Sequence, residues 1–186
     1  MNRTKRKIFE IAMKLFSEKG YEATSIEEIT ATVGVAKGTL YYHFSSKEEI
    51  FNFLVEEGMK LLKNSIEIKT SKCSNTKDKL KAIMLIQIKG IVKYESVLSI
   101  IFSQIYGNET RNQLCQDKVK EYITVIEKII DEGIEKKELK KCNSQFLAYT
   151  IFSLTSSLMM YKKQTKKEYS IAELYIECES TIFNQI

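Results

Sequence analysis

Apolar residues recur at helical spacing from the first turns of the chain onward. Ile8, Ile11, Ala12, Leu15 and Phe16 stand at i, i+3, i+4, i+7 and i+8, the positions that share one face of an α-helix. Gly20 predicts a left-handed C-terminal cap for that helix. Ser25 and Glu28 then have the capping-box form, in which the serine oxygen takes an orphan backbone N–H and the glutamate reaches back. A short second helix is expected there, with Ile26, Ile29 and Val33 inward and Gly34 as its stop. Residues Ala36–Phe44 predict a third helix, and a second capping box at Ser46 and Glu49 opens a long fourth one reaching Lys69. Residues 70–78 are small and polar and read as a loop. Five more helices follow near 76–94, 95–107, 110–137, 143–164 and 170–185, interrupted at Tyr94-Glu95, Gly107-Asn108, 139–143 and 165–170. The expectation is an all-α chain with an N-terminal three-helix head, residues 1–46, and a C-terminal helical body, residues 47–186.

Composition agrees with that pattern. The chain has no proline and only 7 glycines, too little punctuation for the tight turns of a sandwich or barrel. Hydrophobic residues make up 44% and charged residues 28% of 186 positions, which excludes a disordered chain and allows a sizeable core. Cys142–Tyr161 carries no charge and has the length of a bilayer span. Its Asn143, Ser144, Gln145, Thr150, Ser153, Thr155, Ser156 and Ser157 fit a helix buried between protein helices better than one facing lipid, so no membrane is expected.

The net charge is +5, yet Met1–Ile50 holds eight basic side chains against seven acidic ones, so any anion binding is local. Cys73, Cys115, Cys142 and Cys178 lie far apart, and His43 is the single histidine. That excludes zinc spacings and a Cys–His pair, and no metal, cofactor or catalytic residue is expected. Arg3, Lys5, Arg6 and Lys7 precede a segment that Glu10, Lys14, Glu18 and Lys19 interrupt, unlike a secretory signal; the cytoplasm is the expected compartment.

The candidate chemistry lies on the third helix. On a helical wheel Ala36, Leu40, His43 and Phe44 fall on one side and can pack on the first two helices, while Lys37, Gly38, Tyr41 and Tyr42 fall on the other. A cation, bare backbone and two phenols on an outward face suit duplex DNA, since lysine and tyrosine reach phosphate and a small residue lets a helix sink into the major groove. Two helices joined at Gly34, the second presenting that face, have the form of a helix-turn-helix.

The run Gly20-Tyr21-Glu22-Ala23-Thr24-Ser25-Ile26-Glu27-Glu28-Ile29, then Gly34-Val35-Ala36-Lys37-Gly38-Thr39-Leu40-Tyr41-Tyr42-His43-Phe44, then Ser46-Lys47-Glu48-Glu49-Ile50, resembles the DNA-binding head of TetR-type transcriptional regulators. The likeness covers residues 5–54. It implies a homodimeric, all-helical regulator, mostly of the repressor kind, whose body binds a small molecule and whose heads then leave a double-stranded operator. Carried over by position, it places Thr24, Ser25 and Lys47 on phosphate. It sends Ala36, Lys37, Gly38 and Thr39 into the major groove, and sets Tyr41, Tyr42 and His43 against backbone or base edges, with Arg3, Lys5 and Arg6 as further contacts. The family often has serine or threonine where Ala36 stands, so one hydrogen-bonding contact is absent here.

The body offers no phosphate loop and no nucleophile beside a base. Its aromatic residues Phe102, Tyr106 and Tyr122 are the candidates for contact with a small, mostly apolar effector, because a buried phenol needs a polar partner. The charge-free segment and the last amphipathic helix carry more apolar surface than one monomer covers, which suits a twofold interface built from the two C-terminal helices. The competing readings are a helical carrier or enzyme that retains a helix-turn-helix head, and an architectural DNA binder without an effector.

Overall fold

Capping chemistry sets the helix boundaries. In a computed structural model, which describes residues 2–105 and 110–183, α1 spans Arg3–Lys19, α2 Ile26–Val33 and α3 Lys37–His43. Asn2 Oδ1 accepts the Lys5 N–H at 2.8 Å to open α1. Ser25 Oγ accepts the Glu28 N–H at 3.1 Å to open α2. The Glu28 carboxylate meets Lys19 on α1, so this carboxylate ties two helices together. Gly34 closes α2 in the left-handed region (φ 77°, ψ 41°), and its N–H and that of Val35 both reach Thr30 O. Gly20 also has positive φ, 89°, but with ψ at 159° its backbone is extended and lies outside the left-handed helical region expected for it.

The remaining helices are α4 (Lys47–Thr70), α5 (Thr76–Ile105), α6 (Thr110–Glu135), α7 (Ser144–Thr165) and α8 (Ile171–Phe183). No strand occurs among the described residues. The break expected at Tyr94-Glu95 is present as a kink inside α5, where Tyr94 leaves helical geometry at φ −130°, ψ 27°. α8 opens with a complete reciprocal box: Ser170 Oγ accepts the Glu173 N–H and Glu173 Oε2 accepts the Ser170 N–H.

By packing the chain divides into two compact units, one built from residues 2–58 with the described part of 96–118 and one from 59–95 with 119–183. In the first, Ile8, Ala12, Leu15 and Phe16 of α1 are buried against Ile29 and Val33 of α2 and Leu40 of α3. The start of α4 completes this core with Phe51, Leu54 and Val55. Rings interlock there: Phe9 meets Phe53 edge-on at 5.2 Å, Tyr21 meets Phe51 at 5.2 Å, and Phe44 meets Phe53 at 5.7 Å. Each such buried side chain contributes about 1.5–3 kcal/mol, enough to hold a seven-residue helix that could not persist alone. Ala36, expected on the packed side of α3, is instead exposed, because it is the N-cap and its extended backbone (φ −67°, ψ 150°) turns it out of the helix.

In the second unit Leu80, Ile83, Met84, Ile88 and Ile91 of α5 are buried, as are Ile123, Ile126 and Ile130 of α6. Gly133 marks the tightest approach, since a Cβ there would lie 2.5 Å from Thr76 Cγ2. The Thr76 N–H donates to Glu138 Oε2 at 2.6 Å just beyond. α7 buries Ala148, Ile151, Thr155 and Leu158, while Phe146, Tyr149, Ser153, Ser157 and Met160 remain exposed along a charge-free face. No described helix is long and apolar enough to cross a membrane.

Candidate nucleic-acid interface

The outward face of α3 follows from what its inward face holds. Leu40 is fully buried and Phe44 nearly so, which fixes the helix rotation and turns Lys37, Gly38, Tyr41 and Tyr42 to the surface. Tyr42 is 84% exposed and Tyr41 45%, too open for either phenol to serve the core. Nothing lies within 4 Å of where a Gly38 Cβ would stand, so the backbone here is bare to an approaching partner. Thr39 is half-buried. His43 is half-buried at the end of the helix, with its ring 5.0 Å from that of Tyr42.

Lys37 is not a free cation. Its Nζ donates to Glu27 Oε1 at 2.5 Å and lies 5.9 Å from the centre of the Tyr41 ring. The hydrogen bond, and then the charge attraction, hold the Glu27 carboxyl below its usual range and push the Lys37 ammonium up. Both groups are exposed, so water screens the pair and the lysine can exchange Glu27 for a nucleic-acid acceptor at small cost.

The expected phosphate contacts are placed unevenly. Ser25 is exposed, with its hydroxyl oxygen already taking the Glu28 N–H. Thr24 is 1% exposed and its hydroxyl donates to Gly20 O at 2.9 Å, so its side chain braces the turn before α2 and is not offered to the surface. Lys47 points its ammonium into the same turn, donating to Tyr21 O at 2.9 Å, Thr24 O at 3.0 Å and Glu22 O at 3.4 Å. The ammonium also lies 4.4 Å from the centre of the Tyr21 ring.

In the basic run at the start of α1, Arg3 is exposed while Lys5, Arg6 and Lys7 are likewise engaged. Lys5 stands over the Phe44 and Phe53 rings at 4.6 and 5.0 Å, Arg6 pairs with Glu10 at 2.8 Å, and Lys7 donates to Val33 O at 2.9 Å. Lys7 thereby caps the C-terminus of α2, the negative end of its dipole. Sequence reasoning missed the roles of Lys5 and Lys7 because partners 26 or more residues away leave no local signal.

Among the effector candidates, Tyr122 is buried and its hydroxyl accepts from Gln87 Nε2 at 2.7 Å. Burial pushes its phenol far up, and the Gln87 bond opposes the shift. Phe102 is half-buried and belongs to the other unit. Tyr106 lies outside the described residues. Gln87 was not foreseen, although a glutamine in the apolar stripe Ile83, Met84, Ile88, Ile91 is the signal that marks it. No group of three or more histidine, cysteine or carboxylate side chains with metal-binding geometry occurs among the described residues.

A small helical head with a solvent-facing reading helix, joined in sequence to a larger helical body, defines the class of helix-turn-helix DNA-binding regulators. Residues 8–54 match the model of bacterial regulatory proteins of the tetR family, and residues 73–161 match that of the tetracyclin repressor-like C-terminal domain. The chain is 48% identical over 52 residues, 28% of each chain, to the biofilm operon icaADBC negative transcriptional regulator IcaR of Staphylococcus epidermidis. It is 27% identical over 184 residues to IcaR of Staphylococcus aureus, covering 93% of this chain and 99% of that one. A Clostridium perfringens structure described as a fatty acid metabolism regulator superposes with a TM-score of 0.88 at 32% identity, covering 97% of this chain and 98% of that one. The chain belongs to the TetR family of transcriptional regulators, with a tetracycline-repressor-like body. These relatives are regulators, not enzymes, which leaves the carrier and enzyme readings without support.

Proposed function

We propose that the chain is a cytoplasmic, homodimeric repressor that a small-molecule effector releases from a near-palindromic operator. The observation that carries the reading is the exposed face of α3, where two phenols, a lysine and a bare glycine backbone stand on a helix whose other side is locked into the head. In this reading residues 1–46 recognise DNA and residues 47–186 bind the effector and dimerise. Lys37, Gly38 and Thr39, with Ala36 at their N-cap, enter the major groove, while Tyr41, Tyr42 and His43 meet backbone or base edges. Ser25 faces phosphate, Thr24 shapes the turn that presents it, and Lys47 reaches phosphate by exchanging a carbonyl of that turn.

Two features support the dimer. The face of α7 with Phe146, Tyr149, Ser153, Ser157 and Met160 is exposed and uncharged over its whole length, and Ile176 of α8 is 63% exposed. An isologous interface buries such surfaces against their own copies. Two reading helices related by a twofold axis then address half-sites about 34 Å apart or at multiples of that spacing. An effector that binds the free protein about 10–100-fold more tightly than the operator-bound protein lowers operator affinity by the same factor at saturation. The repressor name of the staphylococcal relatives and the fatty acid role named for the clostridial one favour repression and a mostly apolar or amphipathic effector.

The test is selection of bound sequences from random duplex DNA at ~0.15 M salt, where nonspecific phosphate binding is weak. A consensus of two inverted half-sites is the expected result. A folded protein that enriches no sequence, or a single half-site bound by a monomer, overturns the reading.

A further inference from the structure

The interior of the second unit holds one polar pair in apolar surroundings. Gln87 of α5 is 4% exposed and sits on the same helix face as Ile83, Met84, Ile88 and Ile91. Its Nε2 donates to the hydroxyl of Tyr122 on α6 at 2.7 Å, and the Tyr122 ring meets Phe152 of α7 at 5.8 Å. Three helices therefore converge on the pair. Gln87 Oε1 is buried and has no hydrogen-bond partner. A buried amide oxygen without a partner is rare in a folded core and calls for a specific explanation.

The hydrogen-bond inventory defines what fits. With Nε2 on the phenol oxygen, the pair still offers an acceptor, Gln87 Oε1, and two donors, the Tyr122 O–H and the second N–H of Nε2. With the amide turned over, Oε1 takes the phenol proton, and the pair offers both N–H groups of Gln87 Nε2 as donors and the phenol oxygen as acceptor. Either orientation is complementary to a group that both donates and accepts, such as a hydroxyl or a primary amide. A carboxylate cannot donate, so it would leave the acceptor of the pair unpaired, and it would bring a charge into a place where burial already disfavours the ionised Tyr122 phenol.

We propose that Gln87 and Tyr122 are the polar anchor of the effector site, and that this anchor takes an uncharged, mostly apolar molecule bearing a hydroxyl or primary amide. The proposal rests on the reading of the chain as an effector-released regulator and names the chemistry of that effector's head group. Aliphatic neighbours on α5 and α6 and the Phe152 ring receive the apolar part, and the Gln87–Tyr122 pair selects the head.

The experiment titrates the full chain with 1-decanol, decanamide and decanoate, probes matched in their apolar part and different in the head group. Each is measured by calorimetry against the wild type and against the double variant Gln87→Leu, Tyr122→Phe. Decanol and decanamide are expected to bind the wild type at least about tenfold more tightly than decanoate, and the double variant to lose at least about tenfold for both. Its thermal midpoint should stay level or rise, because both polar partners are replaced by apolar groups of similar shape. Gln87→Met alone serves as the second variant and should weaken the alcohol in the same direction. Equal affinity for alcohol and carboxylate, no binding of either neutral probe, or undiminished binding by the variants overturns the proposal. So does a crystal structure of the decanol-soaked protein in which only water meets Gln87 Oε1. In parallel, both proteins are tested on the selected operator. Equal operator binding with release by decanol from the wild type alone supports the anchor, whereas absence of operator binding by the wild type removes the regulator reading and leaves the titration to judge the pair.

Discussion

Replacing Lys47 by methionine removes an ammonium while keeping a long apolar stem, and its effect can be worked from the turn it holds. The ammonium donates at 2.9 and 3.0 Å to the carbonyls of Tyr21 and Thr24, with a longer bond to Glu22. Hydrogen bonds to a charged group contribute about 1.5–3 kcal/mol each, so the two short ones supply about 3 kcal/mol at the low end. The Tyr21 ring, 4.4 Å from the ammonium, adds about 0.5–1 kcal/mol. Ordering a lysine side chain costs about 1.5–2 kcal/mol in rotamer freedom. The net loss for Lys47→Met is therefore about 2 kcal/mol. For a chain of 186 residues this lowers the thermal midpoint by about 4–8 °C in the absence of DNA. Thermal denaturation followed by circular dichroism reads it directly. A midpoint within about 1 °C of wild type would refute the reasoning, showing that the ammonium spends its time in solvent and not in the turn. The DNA side is measured separately: if the lysine exchanges a carbonyl for phosphate on the operator, the slope of log K against log salt flattens by about 0.9.

Other expectations follow from single features. Gly133→Ala should destabilise the second unit by about 1–3 kcal/mol, since the new methyl meets Thr76 at 2.5 Å; an unchanged urea midpoint would contradict that contact. Lys37→Ala should leave the melting curve in place, because its partner Glu27 is exposed, yet cost about 1–3 kcal/mol of discrimination at one operator position in binding across single-base variants. A uniform loss on every sequence would instead make Lys37 a phosphate contact. Ser153→Arg, in the middle of the uncharged α7 face, should convert dimers to monomers in sedimentation and lower operator affinity without unfolding the chain. Glu49, Glu138 and Glu173 accept the backbone N–H groups of Ser45, Thr76 and Ser170, which holds each carboxyl below its usual range. A lowered native value means that the unfolded chain binds more protons, so this stabilisation is complete above the unfolded value of about 4.3 and is lost as pH falls through the lower native values. Urea midpoints between those limits should fall less steeply for the triple glutamine variant than for the wild type.

The local code fixed the helices and their ends. Gly34, Ser25, Ser46 and Asn143 act within three or four residues of themselves, and each closes or opens a helix where its chemistry says. The rotation of α3 was legible for the same reason, because Leu40 and Phe44 are buried by a periodicity that a short segment displays. The break at Tyr94 was legible as well, though the structure renders it as a kink inside α5. Ala36 escaped the wheel because a cap residue has left helical geometry and no longer follows the helical angle.

Only the tertiary structure decided what the charged and polar side chains do. Lys5 and Lys47 read in sequence as DNA contacts, and in the fold Lys5 covers aromatic rings while Lys47, like Lys7, caps carbonyls. Thr24 read as a phosphate contact and is buried in the turn that Lys47 closes. The Gly133 approach to Thr76 and the Gln87–Tyr122 pair join residues 57 and 35 positions apart. The physical reason is range: capping and amphipathic burial act over one or two turns of a single helix, whereas a long side chain selects among partners that only the packing of several helices brings within about 3 Å.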